Sequence, residues 1–312
     1  MSENDKSLTR FIRPRYWNAW LGYLVLRLIS LLPLPAIAAV GYLLGELAYF
    51  LFGSRRRVAR RNIDACFPDM ARHERRRLLR RHFHMVGQAM LSTATVWWAS
   101  AARLRRIVST RNEHVLKQAI EKKQNVILLV PHFVSVEIGG VFLSIDYKVL
   151  DIYQQLRSEL FDVIAYRQLT RFGGKMVEMR EGLRIPIREV KNGTLLYYLP
   201  DQDTGLDNGA FVPFFGIPAA TMTTLGRLAK ITSAVVIPCY TRQLNWGRGY
   251  EVIFQPPLDN FPTGEGPEAD ARRMNQAIEA AIRKIPEQYF WVHRRFKTRP
   301  PGEPDFYQKL SK

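Results

Sequence analysis

The chain predicts an α/β fold, a mixed and mostly parallel sheet flanked by helices, with an N-terminal helical segment that anchors it to a membrane. Three observations carry this. Five short apolar runs, Asn125–Val130, Tyr147–Tyr153, Thr194–Leu199, Ala234–Tyr240 and Tyr250–Gln255, have the length and composition of strands. Helical stretches fall between them, such as Glu159–Phe172 and Thr223–Ile231, and strands alternating with helices indicate an α/β sheet. The only long apolar stretch, residues 17–52, precedes them all.

That stretch is divided by Pro33 and Pro35, because proline breaks a helix interior. Arg27 lies in its first half and Glu46 in its second. Neither half offers the roughly 18 uncharged apolar residues of a clean membrane span. Arg10, Arg13 and Arg15 precede it, and five arginines follow within residues 55–61. Positive charge on both flanks suits a helical hairpin or an interfacial segment better than one crossing. Trp17, Trp20, Tyr23 and Tyr49 suit the headgroup boundary. The alternative is a buried helical pair in a soluble core. Residues 72–81 add six arginines, and a basic helix beside an apolar anchor reads as a lipid-surface helix. The segment has no small-residue cleavage site and is too long for a secretory signal peptide.

Two domains are expected: residues 1–60 as anchor and basic flank, and residues 61–312 as the α/β domain. A last helix is expected from about Asp270 to Lys284, where Met274, Ala277, Ala281 and Ile285 keep helical spacing. Residues 256–267, rich in Pro and Gly, read as a loop.

Composition narrows the function. The 312 residues carry 46 Lys plus Arg against 28 Asp plus Glu, a formal charge of +18. Such a charge calls for a polyanionic partner or surface. An apolar share of 47% excludes a disordered chain, and a mean hydropathy of -0.17 excludes a polytopic transporter. Two cysteines, Cys66 and Cys239, exclude a disulfide scaffold and a four-cysteine zinc site. No helix-turn-helix, zinc finger or aromatic RNA-binding pattern supports a nucleic-acid partner. Gly-x-Ser-x-Gly, Walker, Gly-x-Gly-x-x-Gly and His-Glu-x-x-His motifs are absent.

The sharpest site signal is VPHFVSVEIGG, residues 130–140. His132 follows a strand run, so it stands at the carboxyl end of a strand, where α/β sheets build their sites. Glu137, five residues on, reaches it if His132 occupies the turn and Glu137 the first helical turn. The carboxylate would then accept from the imidazole Nδ1–H and leave Nε2 as a base. A structural core histidine is the competing reading. Asp201 and Asp203, in YLPDQDTG after the strand at 194–199, are taken to shape or bind the substrate site. With Asp207 they also admit a metal-ligand reading. Arg167, Arg171 and Arg180 lie between the two motifs and either hold phosphates or solvate a helix face. Residues 211–230, apolar and rich in small side chains, serve as a floor for an acyl chain or as plain core.

Four segments together resemble the lipid A biosynthesis acyltransferases of the lauroyl and myristoyl type, within the lysophospholipid acyltransferase superfamily. They are NIDACFPD at 62–69, HFVSVE at 132–137, PDQDTG with FVPFFG at 200–216, and PEQYFWVHRRFKTRP at 286–300. The family's His-x4-acid motif maps onto His132 and Glu137. The chain departs from many relatives in having Gln202 where they have His, and Pro131 precedes the motif His. The resemblance implies acyl transfer from acyl carrier protein to a hydroxyl of a hydroxyacyl chain on a Kdo-bearing lipid A precursor. The setting implied is the cytoplasmic face of the bacterial inner membrane, with no cofactor and no metal. The basic balance would then serve an acidic carrier protein, a phosphorylated glycolipid and an anionic membrane surface.

The expected mechanism has His132 as general base, Glu137 orienting it, and no covalent acyl-enzyme. Backbone amides after the strand, or Arg171, are the candidate oxyanion donors. Three other readings remain at this point. One is an acyl-CoA-dependent enzyme acting on a mannosylated phosphoinositide or a glycerophospholipid, another a hydrolase. The third is a non-catalytic membrane-bound binder.

Overall fold

Two prolines set the first boundary. In the structure, a computed structural model that describes residues 11–207 and 209–308, α1 (Trp17–Ile29) stops short of Pro33, which caps α2 (Leu34–Leu51). Arg10 lies outside the described residues. Then follow α3 (Gly53–Cys66), α4 (Arg72–Trp98) and α5 (Ala101–Ile107). The boundary expected at residue 60 falls inside α3, which runs through it unbroken.

Helix α2 reaches 18 residues with one charge, Glu46, and is long and apolar enough to cross a membrane. The sequence reading placed it below that length. Its inner face lies on α4 through small residues. A Cβ on Gly87 would stand 2.2 Å from the Gly41 carbonyl oxygen, and one on Gly45 would stand 2.3 Å from the Phe83 carbonyl oxygen. Gly41 and Gly45 thus form a small-xxx-small seam that lets two backbones touch. The opposite face is bare: Leu43, Leu47 and Phe50 are exposed, as are Leu21, Leu24 and Leu28 of α1. The helices therefore form neither a buried pair nor a detached hairpin. One side is docked, and the other exposes apolar side chains of the kind that mark a membrane contact.

The α/β part continues with β1 (Val108–Arg111), α6 (Glu113–Glu121), β2 (Asn125–Leu129), α7 (Val136–Leu143), β3 (Val149–Tyr153) and α8 (Glu159–Leu169). Next come β4 (Lys175–Glu178), α9 (Arg184–Lys191) and β5 (Leu195–Tyr198). The hairpin β6 (Gly209–Phe214) and β7 (Ile217–Met222) precedes α10 (Thr224–Thr232), β8 (Ala234–Gln243), β9 (Tyr250–Phe254) and α11 (Pro267–Lys284). Seven strands form one sheet in the order β1-β9-β8-β2-β5-β3-β4. All neighbours are parallel except β8 and β9. The central strand β2 is buried on both faces, as the unbroken apolar run NVILL requires.

All five expected strands form. Two short edge strands, β1 and β4, lacked an apolar run to announce them. The apolar stretch at 211–230 is not a continuous floor: it folds as the β6–β7 hairpin followed by α10. Beyond α11 the chain is irregular, yet Trp291 and Phe296 are among the most buried side chains. Asn62 of α3 explains this: its Nδ2 donates to the carbonyls of Trp291 and His293, both at 2.8 Å, and its Oδ1 accepts from the Tyr307 hydroxyl at 2.6 Å.

Candidate active site

The site grows from strand register. Strand β2 pairs in parallel with β5, with Ile127 beside Leu196 and Leu129 beside Tyr198. Each partner is 69 residues further along the chain. Continued past the strand ends, the same offset sets His132 beside Asp201. The His132 amide donates to Asp201 Oδ2 at 2.9 Å, and the imidazole Nδ1 lies 2.6 Å from Asp201 Oδ1. A carboxylate accepts, so Nδ1 carries the proton, and in the neutral imidazole Nε2 keeps its lone pair. The Asp201 side chain is fully buried, whereas that of His132 is 26% exposed. Burial alone would raise the Asp201 pKa. The attraction of His132 and its two hydrogen bonds outweigh that, so the carboxyl is held below its ordinary value.

This corrects one expectation: the carboxylate on the imidazole Nδ1 is Asp201, not Glu137. Glu137 stands in the first turn of α7. It has no hydrogen-bond or ion-pair partner among the described residues. His132 and Glu137 nevertheless line one cavity of about 260 Å³, walled by Val86, Met90 and Val96 of α4 and by Phe290. The Glu137 carboxylate opens into that cavity, and the protein packed around it raises its pKa by desolvation. Gln202 lines the same cavity.

Other groups hold this corner rather than face the cavity. Asp203 is buried: its Oδ1 accepts from the Gly205 amide and the Thr298 hydroxyl, and its Oδ2 from the Thr298 amide at 2.7 Å. Its expected contact with substrate is thus replaced by a tie to the C-terminal segment. With Asp201 committed to His132, a metal reading of this turn loses its ligands. His293 Nε2 accepts from the Asp203 amide at 3.1 Å, and burial pushes the His293 pKa down to about 4, which keeps that nitrogen an acceptor. Arg295 is buried and donates to the Ala220 carbonyl at 2.6 Å and to Thr221 Oγ1 at 2.8 Å, which pins the hairpin. The Phe290 amide donates to the His132 carbonyl at 3.0 Å, and the Val134 amide to the Gln288 carbonyl at 2.8 Å. The four sequence segments therefore converge on one corner of the molecule.

The three arginines expected to hold phosphate do not line this cavity. Arg171 gives its guanidinium to the Ala99 carbonyl at 2.9 Å and to the Gln168 carbonyl, lies over the Phe172 ring, and has its pKa lowered to about 10 by burial. It ties α8 to the α4–α5 corner, so it is not an oxyanion donor. Arg180 is exposed and paired with Glu178. Arg167 is exposed on α8.

Asp151 of β3 went unnoticed in the sequence because it sits inside an apolar run. Its Oδ1 is buried without a hydrogen-bond partner among the described residues. Burial pushes its pKa up to about 7, with His132 pulling it down and Glu137 pushing it up.

Residues 5–298 match the bacterial lipid A biosynthesis acyltransferase family. The chain is 33% identical over 308 residues to the lipid A biosynthesis lauroyltransferase of Escherichia coli K12, covering 98% of this chain and all of that one. It is 32% identical over 314 residues to the myristoyltransferase of the same organism, covering 98% and 94%. To the palmitoleoyltransferase it is 31% identical over 299 residues, covering 95% and 96%. With a histidine at a strand end, a cavity beside it and near full-length similarity on both sides, this chain belongs to the bacterial lipid A biosynthesis acyltransferase family.

Proposed function

We propose that the chain transfers an acyl group from acyl carrier protein to a hydroxyl of a hydroxyacyl chain on a Kdo-bearing lipid A precursor, at the cytoplasmic face of the inner membrane. The observation that carries the mechanism is the free Nε2 of His132, aimed by a fully buried carboxylate. An alcohol is too weak an acid to ionise near neutral pH, so Nε2 takes its proton as the oxygen attacks the thioester carbonyl. A positioned base of this kind contributes about 10²–10⁴-fold. Asp201 fixes the tautomer and stabilises the imidazolium. Glu137, without a partner among the described residues, is available to the substrate in the same cavity. The first turn of α7 lines that cavity, and its backbone amides and positive helix end suit the tetrahedral oxyanion. The thiolate then leaves, and no acyl-enzyme forms.

The apolar face of α1 and α2 supports a membrane setting, and the +18 charge suits an acidic carrier, an anionic acceptor and an anionic bilayer. The three named relatives differ in acyl group, yet identities of 31–33% do not rank them. Chain length therefore belongs to the shape of the His132 cavity. The test is acylation by detergent-purified protein, with mass spectrometry of the lipid product from short, medium and long acyl carrier proteins. His132→Ala is expected to abolish transfer without loss of fold, and Glu137→Ala to lose most of it. Near-normal turnover by His132→Ala would sink the mechanism. Turnover with acyl-CoA alone would replace the donor.

A further inference from the structure

A second cavity, of about 510 Å³, lies beside the membrane-facing helices and is not used by the chemistry above. Arg77, Arg80, Arg81 and His84 of α4 line it, with Tyr42 of α2 and Trp246 of the turn after β8. Two carboxylates are present. Glu46 is already taken, accepting from Arg80 Nε at 2.9 Å and meeting His84 Nε2 at 2.6 Å. Glu287, unlike Glu46, is among the lining residues. Arg77 and Arg81, one helical turn apart on one face, have no ion-pair or hydrogen-bond partner among the described residues. Trp246 is 71% exposed, yet it is held at φ 60°, ψ 30°, a conformation costly for a bulky residue. Its ring stacks over Tyr42, which lies against His84 at 3.9 Å. Two guanidiniums without a partner among the described residues share this cleft with an exposed Trp and the Tyr it stacks on, beside the apolar helix α2, and make a receptor for a phosphate at headgroup depth.

The cavity also adjoins the catalytic one. Glu287 lines this cleft and Phe290 lines the His132 cavity, three residues on and at most about 10 Å of extended chain. A single glycolipid can therefore reach from one cavity into the other.

We propose that Arg77 and Arg81 bind a phosphate of the glycolipid acceptor, and so set which of its chains reaches His132. This rests on the acceptor assigned above. The test is binding without any thioester donor, so that no turnover is needed. Wild type and an Arg77→Gln/Arg81→Gln variant would be titrated with phosphatidylcholine vesicles doped in three ways. The dopants are the phosphorylated lipid A precursor, the same precursor after phosphatase treatment, and phosphatidylglycerol. Arg72→Gln/Arg76→Gln, at two exposed arginines outside the cleft, controls for lost charge alone. Wild type is expected to prefer the phosphorylated precursor by about tenfold or more, as charge-assisted hydrogen bonds to phosphate imply. The double variant should lose that preference and keep its affinity for the dephosphorylated lipid. An unchanged preference in the variant overturns the proposal. An equal loss towards phosphatidylglycerol also overturns it, leaving a general anionic headgroup site. If wild type shows the binding preference but acylates no lipid A precursor, the proposed reaction fails and the phosphate site stands.

Discussion

Helix α4 has a cavity on each side, and the two are built on opposite terms. On one side Val86, Met90 and Val96 wall the His132 cavity, where the working side chain is aimed by a buried partner. On the other, Arg77 and Arg81 stand in an open cleft without partners among the described residues. Preorganisation differs because the proposed tasks differ. A base must sit within a few tenths of an ångström of its proton, so its carboxylate is buried and unable to move. A headgroup receptor meets a mobile lipid through charge, which acts over several ångströms. One rigid helix holds both at a fixed spacing.

That contrast can be broken from either side. The largest effect is expected at Asp201→Asn, which keeps size but loses the charge that fixes the His132 tautomer. It should lower kcat by about 10²-fold or more, with lipid binding unchanged. A loss confined to KM would show that Asp201 serves substrate instead.

Acid should act next. His82 of α4 is fully buried, its Nδ1–H donates to the Glu287 carbonyl at 3.1 Å, and burial lowers its pKa to about 4. Its unfolded value is near 6.5, so above that pH it favours neither state. As pH falls towards 4 the unfolded chain takes a proton that the native chain refuses. Stability should drop by about 1.4 kcal/mol per pH unit from this group, roughly 3 kcal/mol in all, and level off below 4. Urea unfolding in detergent across pH 4–7 would show the slope, and His82→Gln should flatten it. An unaltered slope would assign the acid loss elsewhere.

Gly87→Leu comes third. It forces side-chain atoms into the backbone of α2, and overpacking of this kind costs about 1–3 kcal/mol. The Arg cleft shares α2 and should open with it, whereas the β2–β5 corner should not. Thermal unfolding, with and without the phosphorylated lipid, checks this. Equal damage to both cavities would mean that the two sides are not independent.

Much of this was legible in the chain. Five apolar runs announced five strands, because a strand buried on both faces must be apolar throughout. His132 was legible because it directly follows such a run. Its partner was not. Asp201 lies 69 residues away, and the pairing exists only once β2 and β5 are neighbours in register. Glu137, closer in sequence, was the more visible choice, but α7 turns it into the cavity instead. Asp203 and Arg171 looked like surface contacts for substrate, and their partners, Thr298 and the Ala99 carbonyl, are likewise remote in sequence. The docking of α2 had a local signal in Gly41 and Gly45, a spacing that says two backbones will touch without saying which.

By itself the sequence determined the local matters: strand runs, the proline break, the charge, the apolar anchor and the histidine after β2. These follow from period, composition and steric limits within a few residues. The tertiary structure alone decided which carboxylate meets His132, that Arg77 and Arg81 have no partner among the described residues, and that four distant segments share one corner. Those depend on strand order and register, long-range contacts that no window of neighbouring residues contains.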